Sequence, residues 1–129
     1  MSRTVYDTRF FVEFFYSKDE NLRLRIREEK ARREKCISAV VIHEVYQLSL
    51  VREGRETAKL RAALMEKDFQ IIPVDEQIAQ ISAELRHKYK LSMADSMIAA
   101  TASLLNAICV SDDPHFQQIK EIKTTWISN

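Results

Sequence analysis

The segment that decides the fold is residues 93–114, MADSMIAATASLLNAICVSDDP. Drawn as a helix, Met93 to Asn106 is apolar on almost every side, which predicts a helix that is buried nearly all round. Ala107 to Val110 is predicted as a short strand, and the turn residues Ser111 to Pro114 end it. A buried helix followed directly by a strand is typical of α/β proteins, in which helices cover both faces of a sheet.

The same alternation of short strands and longer helices extends toward both ends of the chain. Further strands are predicted at Thr4–Tyr6, Cys36–Ile37, Phe69–Ile72 and Thr124–Ile127. The remaining helices are predicted at Phe10–Phe15, Asp19–Lys35, Ser38–Arg52, Glu56–Lys67 and Asp75–Tyr89. This order predicts a three-layer α/β/α sandwich around a central, mainly parallel, five-stranded sheet. The length of 129 residues predicts a single domain, residues 1–129.

The residue types exclude several classes of site. Gly54 is the only glycine, which excludes the glycine-rich loops that bind nucleotide phosphates. Cys36 and Cys109 stand apart in apolar runs, so we expect two buried thiols and no cysteine metal site. The segment 43–47 begins like a zinc-protease motif, but Gln47 occupies the position of its second histidine. The net charge of +1 neither requires nor excludes a nucleic acid as the partner.

The sequence also bears on where the protein works. No apolar run approaches the roughly 18 residues that a membrane helix needs. The N-terminal residues lead straight into the first predicted strand, with no signal-peptide core. We therefore expect a cytoplasmic protein that has no membrane partner.

Four acidic residues lie where a parallel sheet gathers its functional side chains. Asp7 and Asp113 follow the first and fourth predicted strands, and ligands bind beyond the carboxyl ends of such strands. Glu44 lies in an apolar stretch of a helix, and Asp95 lies in the first turn of the apolar helix. Carboxylates in apolar surroundings are costly and repel one another, and a divalent cation would remove both costs. Because oxygen ligands without histidine or cysteine suit hard cations, we predict that these four acids bind Mg²⁺ or Mn²⁺.

Three of these acids also have a structural alternative. Ser92 and Asp95 have the spacing of a capping box at the start of a helix. Asp7 can cap the helix that follows the first strand, and Glu44 can be an exposed helix residue. The sequence alone does not decide between these structural roles and metal binding.

These residues and their neighbours resemble the motifs of the PIN-domain family, which includes the VapC toxins of toxin–antitoxin pairs. The four segments occur in the family's order and span nearly the whole chain: Val5-Tyr6-Asp7-Thr8, Ser38–Glu44, Met93–Ala102 and Ser111-Asp112-Asp113-Pro114-His115-Phe116. The resemblance implies a three-layer sandwich with a five-stranded parallel sheet. It also implies a metal-dependent ribonuclease and, commonly, a homodimer.

A catalytic scheme follows from this resemblance as a hypothesis. Water activated by the metal hydrolyses an RNA phosphodiester, with Asp7, Asp95 and Asp113 as the direct ligands. Glu44 binds a second metal ion or orients the water. The hydroxyl groups expected to hold the carboxylates or the phosphate by hydrogen bonds are those of Thr8, Ser38 and Ser111.

Two positions depart from the family pattern, and neither removes a predicted ligand. Arg9 stands where many members have a small residue, and Ser111 replaces the commoner threonine. Arg9, beside the predicted site, is a candidate phosphate contact. Asp112 can take the place of Asp113 as the ligand in the turn before the proline. The basic residues at 23–35 are a second candidate RNA contact, although the interspersed glutamates also fit a solvated helix with ion pairs such as Glu28–Arg32.

The function predicted from the sequence is a divalent-metal-dependent endoribonuclease, either the toxin of a toxin–antitoxin pair or a housekeeping nuclease. If the protein is a toxin, a small antitoxin would cover the active site. The apolar residues that can form its groove, form a dimer interface or belong to the core are Phe10, Phe11, Phe14 and Phe15. One alternative is a catalytically silent PIN-fold module that binds RNA or protein. Another is a structure-specific DNA nuclease, because similar acidic sites cleave DNA.

Overall fold

The computed structural model describes residues 3–32 and 34–127, in which five strands alternate with seven helices. In chain order the elements are β1 (Thr4–Tyr6), α1 (Thr8–Tyr16), α2 (Glu20–Lys30), β2 (Lys35–Ser38), α3 (Ala39–Arg52), α4 (Arg55–Asp68), β3 (Gln70–Ile72), α5 (Glu76–Tyr89), α6 (Met93–Leu104), β4 (Ile108–Val110), α7 (Pro114–Gln117) and β5 (Lys123–Thr125). The strands have three or four residues each, so the helices and the side chains beyond the strand ends complete the core.

The five strands pair in parallel in the order β3-β2-β1-β4-β5. The central strand β1 pairs Val5 with Cys36 on one side and with Cys109 on the other. Strands β2 and β3 follow one another on one side of β1, and the chain then crosses to the other side of β1, where β4 and β5 lie. The strand order therefore reverses between β1 and β4, where a parallel sheet opens a crevice for ligands. The predicted α/β/α sandwich is confirmed, and the sheet is parallel throughout the described residues.

Helix α6 lies deep in the fold, as its composition predicts. Five consecutive residues, Ile98–Ala102, are fully buried. The helix contacts β1, β2 and β4 as well as α3 and α5. Three of the five buried side chains are alanines, which let the helix backbone approach the sheet closely and still fill the space. This packing fixes the direction from which Asp95, in the first turn of α6, approaches the end of the sheet.

An aromatic cluster fills the space between α1 and the sheet. Phe10 and Phe11 are 0% and 1% exposed, and their rings pack against Tyr6 and Phe69 at centroid distances of 4.6 to 6.4 Å. Tilted and edge-on aromatic pairs of this kind stabilise a core beyond the area that they bury. Of the four phenylalanines that could form a groove, an interface or part of the core, Phe10 and Phe11 therefore belong to the core.

Several element boundaries differ from the predicted ones. Helix α2 ends at Lys30, five residues early, because Lys35 already pairs with Thr4 in the sheet. Helix α6 ends at Leu104, because Asn106 takes a left-handed backbone conformation with φ of 51°. Strand β5 ends at Thr125, one residue before the partly buried Trp126.

Two further observations concern the helices, and one concerns the cysteines of β2 and β4. The short helix α7 was not predicted, because four residues are too few to give a periodic pattern; a side-chain cap and Pro114 in the first turn start it. The buried thiols of Cys36 and Cys109 are confirmed. None of the helices within the described ranges is both long enough and apolar enough to span a membrane.

Candidate metal centre

Asp7 is a buried carboxyl group at the carboxyl end of β1, with 2% of the residue exposed. Its Oδ1 accepts a hydrogen bond from the Thr8 N–H at 2.7 Å, and its Oδ2 accepts one from Ser111 Oγ at 2.6 Å. Burial raises the pKa of Asp7 from 3.8 to about 7. The Ser111 hydrogen bond opposes this rise, and the carboxylates of Asp95 and Asp113 add to it. Both hydrogen-bond donors are neutral, so an ionised Asp7 keeps an uncompensated charge.

Asp95 and Asp113 reach the same edge of the sheet from different elements. Asp95 lies in the first turn of α6, where the N-cap Ser92 accepts a hydrogen bond from its N–H at 3.1 Å. Burial raises the pKa of Asp95, and repulsion from Asp113 is the next largest cause of this rise. Asp113 caps α7 and donates its N–H to Ser111 Oγ at 3.1 Å. The single hydroxyl group of Ser111 therefore binds both Asp7 and Asp113.

A histidine joins this acidic group. One potential ligand atom from each of Asp95, Asp113 and His115 lies within 4.8 Å of the other two. The His115 side chain is 69% exposed, and its Nδ1 lies 3.1 Å from Asp113 Oδ1. Sequence reasoning missed His115, because the three histidines of the chain, His43, His87 and His115, are scattered along the sequence. The signal that could have found it is its position two residues after Asp113, at the start of a helix that begins at Pro114.

Helix α3 supplies Glu44, and Ser38 is the N-cap of this helix. Thr8 Oγ1 donates a hydrogen bond to Glu44 Oε1 at 2.5 Å, which ties α3 to the first residue of α1. Glu44 adds to the rise in the pKa of Asp95, because neighbouring carboxylates disfavour each other's charge. Ser38 Oγ accepts a hydrogen bond from the Val40 N–H at 3.2 Å, so this hydroxyl group caps α3. The structure thus brings the four predicted acids to one region of the molecule.

Arg9 and Asp112 form an ion pair at the rim of this region. Arg9 Nε donates to Asp112 Oδ1 at 3.0 Å, and Nη2 donates to Oδ2 at 3.2 Å. The Arg9 side chain is 47% exposed and that of Asp112 is 33% exposed. Asp112 is therefore engaged by a guanidinium group, while Asp113 faces the other acids. This arrangement favours Asp113 over Asp112 as the candidate ligand.

The basic residues at 23–35 belong mainly to the exposed helix α2 and the turn that follows it. Arg32 Nε lies 3.2 Å from Glu29 Oε1, so Arg32 pairs with this residue, whereas Glu28 was its predicted partner. Lys30 Nζ lies 3.7 Å from Asp68 Oδ2. Arg33, also part of this stretch, lies outside the described residues. These pairs fit the solvated helix that the interspersed glutamates predict.

The donor set fits a divalent cation. Carboxylate oxygens are the ligands that hard divalent cations prefer, and two carboxylates and an imidazole lie within reach of one ion. The buried Asp7 adds a charge that burial and the neighbouring acids make unfavourable. A cation at this position would offset both the desolvation and the mutual repulsion of the acids. Asp95, Asp113 and His115 offer ligand atoms within reach of one ion, and Asp7 is tied to Asp113 through the hydroxyl group of Ser111.

Known structures resemble this fold along nearly their whole length. The chain is similar to the DNA-bound VapBC of Salmonella typhimurium, with a TM-score of 0.82 and 19% identity, covering 99% of this chain and 100% of that chain. A toxin–antitoxin complex from Klebsiella pneumoniae has a TM-score of 0.72 and 23% identity, with 92% and 94% covered. VapC20 of Mycobacterium tuberculosis, described as a sarcin–ricin loop cleaving toxin, has a TM-score of 0.72 and 17% identity, with 93% and 98% covered.

Sequence comparisons give the family. No curated protein sequence matches the chain. The family model of the PIN domain matches residues 4–122, from the first residue of β1 to the residue before β5. Structural likeness at 17–23% identity shows the fold alone, whereas the family model covers nearly the whole sequence and includes all four acids. The chain therefore belongs to the PIN domain family.

Proposed function

We propose that the chain is a divalent-metal-dependent endoribonuclease that hydrolyses RNA phosphodiester bonds. The observation that carries this proposal is the buried Asp7 carboxyl group, with Asp95 and Asp113 beside it at the point where the strand order reverses. Burying a carboxylate against two others is costly, and a fold retains such an arrangement when a cation or a reaction requires it. Membership of the PIN domain family supports a nuclease as the function.

Each acid has a role in this proposal. Asp7, Asp95 and Asp113 hold the cation, and Ser111 positions two of them through its hydrogen bonds. Glu44, oriented by Thr8, holds a second cation or orients the attacking water. When bound, Mg²⁺ or Mn²⁺ makes a water molecule more acidic and neutralises charge on the phosphoryl oxygens.

We also propose that the chain is a cytoplasmic toxin that a small antitoxin protein holds inactive. Structurally similar chains come from VapBC and from a toxin–antitoxin complex, which supports a partner of this class. Leu60 and Leu64 lie one turn apart on α4 and are 67% and 44% exposed, so they offer this partner an apolar face. A homodimer, common in the family, completes the proposed assembly.

Cleavage of a labelled single-stranded RNA by purified protein tests the proposal. The protein is refolded after denaturing purification, so that no inhibitor is carried along, and is assayed with Mg²⁺, with Mn²⁺ and with EDTA. We expect cleavage that needs the metal and that falls below detection in Asp95→Asn. Asp75→Asn is the matched control, because it removes the same charge from the exposed N-cap of α5.

Other results would support the alternatives. If the folded protein cleaves no RNA with either metal, the proposal is wrong and the silent binding module takes its place. If flapped DNA is cut efficiently while single-stranded RNA is not, the chain is a structure-specific DNA nuclease.

A further inference from the structure

We propose that His115 supplies a nitrogen ligand to the cation, so that the centre selects a divalent transition-metal ion such as Mn²⁺ over Mg²⁺. The inference rests on the proposed metal-dependent function and names the metal class of that site. It also changes the donor set that the acids alone predict, from oxygen only to mixed oxygen and nitrogen.

The first argument is the distance between the candidate donor atoms. A ligand atom of His115 lies within 4.8 Å of ligand atoms of both Asp95 and Asp113. An ion that lies between three such atoms can contact all of them at ordinary metal–ligand distances of about 2.0–2.2 Å after small rotations of the side chains. Asp95 and Asp113 are residues that the proposed function already assigns to the cation.

The second argument is that the fold directs the ring toward the acids. The backbone N–H of His115 donates a hydrogen bond to Asp113 Oδ1 at 2.9 Å, and the ring nitrogen Nδ1 lies 3.1 Å from the same oxygen. The next residue, Phe116, is fully buried, and Ile119 is 2% exposed. These two apolar side chains anchor α7 and the residues directly after it to the core, so that His115 lies on the exposed side of α7. The ring is 69% exposed, so an ion can reach it from solvent.

The third argument is the chemistry of the donors. Mg²⁺ dehydrates reluctantly and is bound through oxygen, whereas first-row transition ions accept imidazole as well as carboxylate. A ring nitrogen among carboxylates therefore stabilises Mn²⁺ more than it stabilises Mg²⁺. An aspartate at position 115 would restore an all-oxygen donor set and remove this preference.

Electron paramagnetic resonance of Mn²⁺ gives a test that is independent of cleavage. Free Mn²⁺ is titrated into the metal-free full chain at about pH 8, where an ordinary imidazole is neutral, and bound Mn²⁺ is then displaced by Mg²⁺. We expect His115→Gln to weaken Mn²⁺ binding by about tenfold or more and to weaken Mg²⁺ binding much less. His115→Asp should shift the preference toward Mg²⁺. His87→Gln, at an exposed position on α5, is the matched control and should behave as the wild type.

A pulsed measurement on the Mn²⁺-loaded protein adds a direct signature. Nitrogen modulation from a coordinated imidazole should appear in the wild type and disappear in His115→Gln. Absence of this modulation in the wild type, or an unchanged ratio of Mn²⁺ to Mg²⁺ affinity in His115→Gln, would overturn the inference.

Asp95→Asn separates failure of the inference from failure of the proposed function. If Asp95→Asn loses Mn²⁺ while His115→Gln keeps the wild-type preference, the acids bind the metal and His115 does not. If Asp95→Asn binds Mn²⁺ as the wild type does, the metal centre itself is misplaced and both proposals fall. Thermal unfolding in EDTA identifies any variant that fails to fold.

Discussion

Replacement of Asp7 with asparagine should stabilise the metal-free protein at neutral and alkaline pH, although it removes the proposed activity. Asp7 is 2% exposed, and its hydrogen bonds come from two neutral donors. Burial, opposed by Ser111 and reinforced by the neighbouring carboxylates, raises its pKa from 3.8 to about 7. Ionised Asp7 therefore costs the folded state free energy that an uncharged side chain does not.

The direction of the pH dependence follows from proton binding. Below about pH 4, Asp7 is protonated in both the folded and the unfolded chain, so it adds no pH-dependent cost. Between about pH 4 and about pH 7 the unfolded chain loses this proton while the folded protein keeps it, so stability falls as the pH rises. Above about pH 7 both states are ionised and the full cost is present.

The size of the cost can be worked from the same values. The difference between a pKa of 3.8 and one of about 7 corresponds to about 4 kcal/mol, at about 1.4 kcal/mol for each pKa unit. Asparagine keeps an oxygen that can accept from Thr8 but loses the acceptor of the Ser111 hydrogen bond, which is worth about 1 kcal/mol. We expect a net stabilisation of about 3 kcal/mol above about pH 7. The stabilisation falls as the pH is lowered and becomes a destabilisation of about 1 kcal/mol near pH 4, where only the loss of the Ser111 hydrogen bond remains.

Urea unfolding in EDTA, followed by circular dichroism across this pH range, measures the effect. Asp75→Asn is the control, because it removes an exposed carboxylate from the N-cap of α5, a position where asparagine also caps a helix. Saturating Mn²⁺ should stabilise the wild type by about 3 kcal/mol at a hundred times its dissociation constant and should stabilise Asp7→Asn far less. If Asp7→Asn destabilises the protein by the same amount at every pH, Asp7 is not an uncompensated buried charge and the reasoning fails.

Two further predictions concern the groups around the acids. Asp112→Asn should free the Arg9 guanidinium group for a substrate phosphate and lower KM for RNA severalfold. Arg9→Gln should raise KM with a smaller effect on kcat, and an equal loss of kcat in both variants would contradict a role of Arg9 in substrate binding. Stability should change by no more than about 1 kcal/mol in either variant, because the pair is partly exposed. Ser111→Ala should lower kcat about 10- to 100-fold, because it removes the hydrogen bonds that hold Asp7 and Asp113. Ser111→Thr keeps the hydroxyl group and should retain activity, whereas a fully active Ser111→Ala variant would exclude this positioning role.

Sequence reasoning reached the fold because burial leaves a local pattern. The nearly apolar helix around Ile98–Ala102 and the short apolar strands bracketed by polar turns predict the layers without any knowledge of contacts. The position of Asp7 was predictable for the same reason, since an acid directly after a buried strand of a parallel sheet lies at the carboxyl end of that strand.

Contacts between distant residues could not be predicted in this way. The Ser111–Asp7 hydrogen bond joins residues 104 positions apart, and the Thr8–Glu44 bond joins residues 36 positions apart. Both depend on the order and register of the strands, which long-range pairing determines. The sequence likewise left open whether Asp112 or Asp113 faces the site, because neighbouring residues in a turn have similar local preferences.

The sequence by itself determined the alternation of elements, the buried helix α6 and the acids at the strand ends, because these features follow from periodicity and local turn chemistry. The tertiary structure alone decided that Phe10 and Phe11 are core, that Asp112 pairs with Arg9, and that His115 lies beside Asp95 and Asp113. Each of these depends on where a separate element packs, and that packing is set by the free energy of the whole fold and not by the few residues on either side.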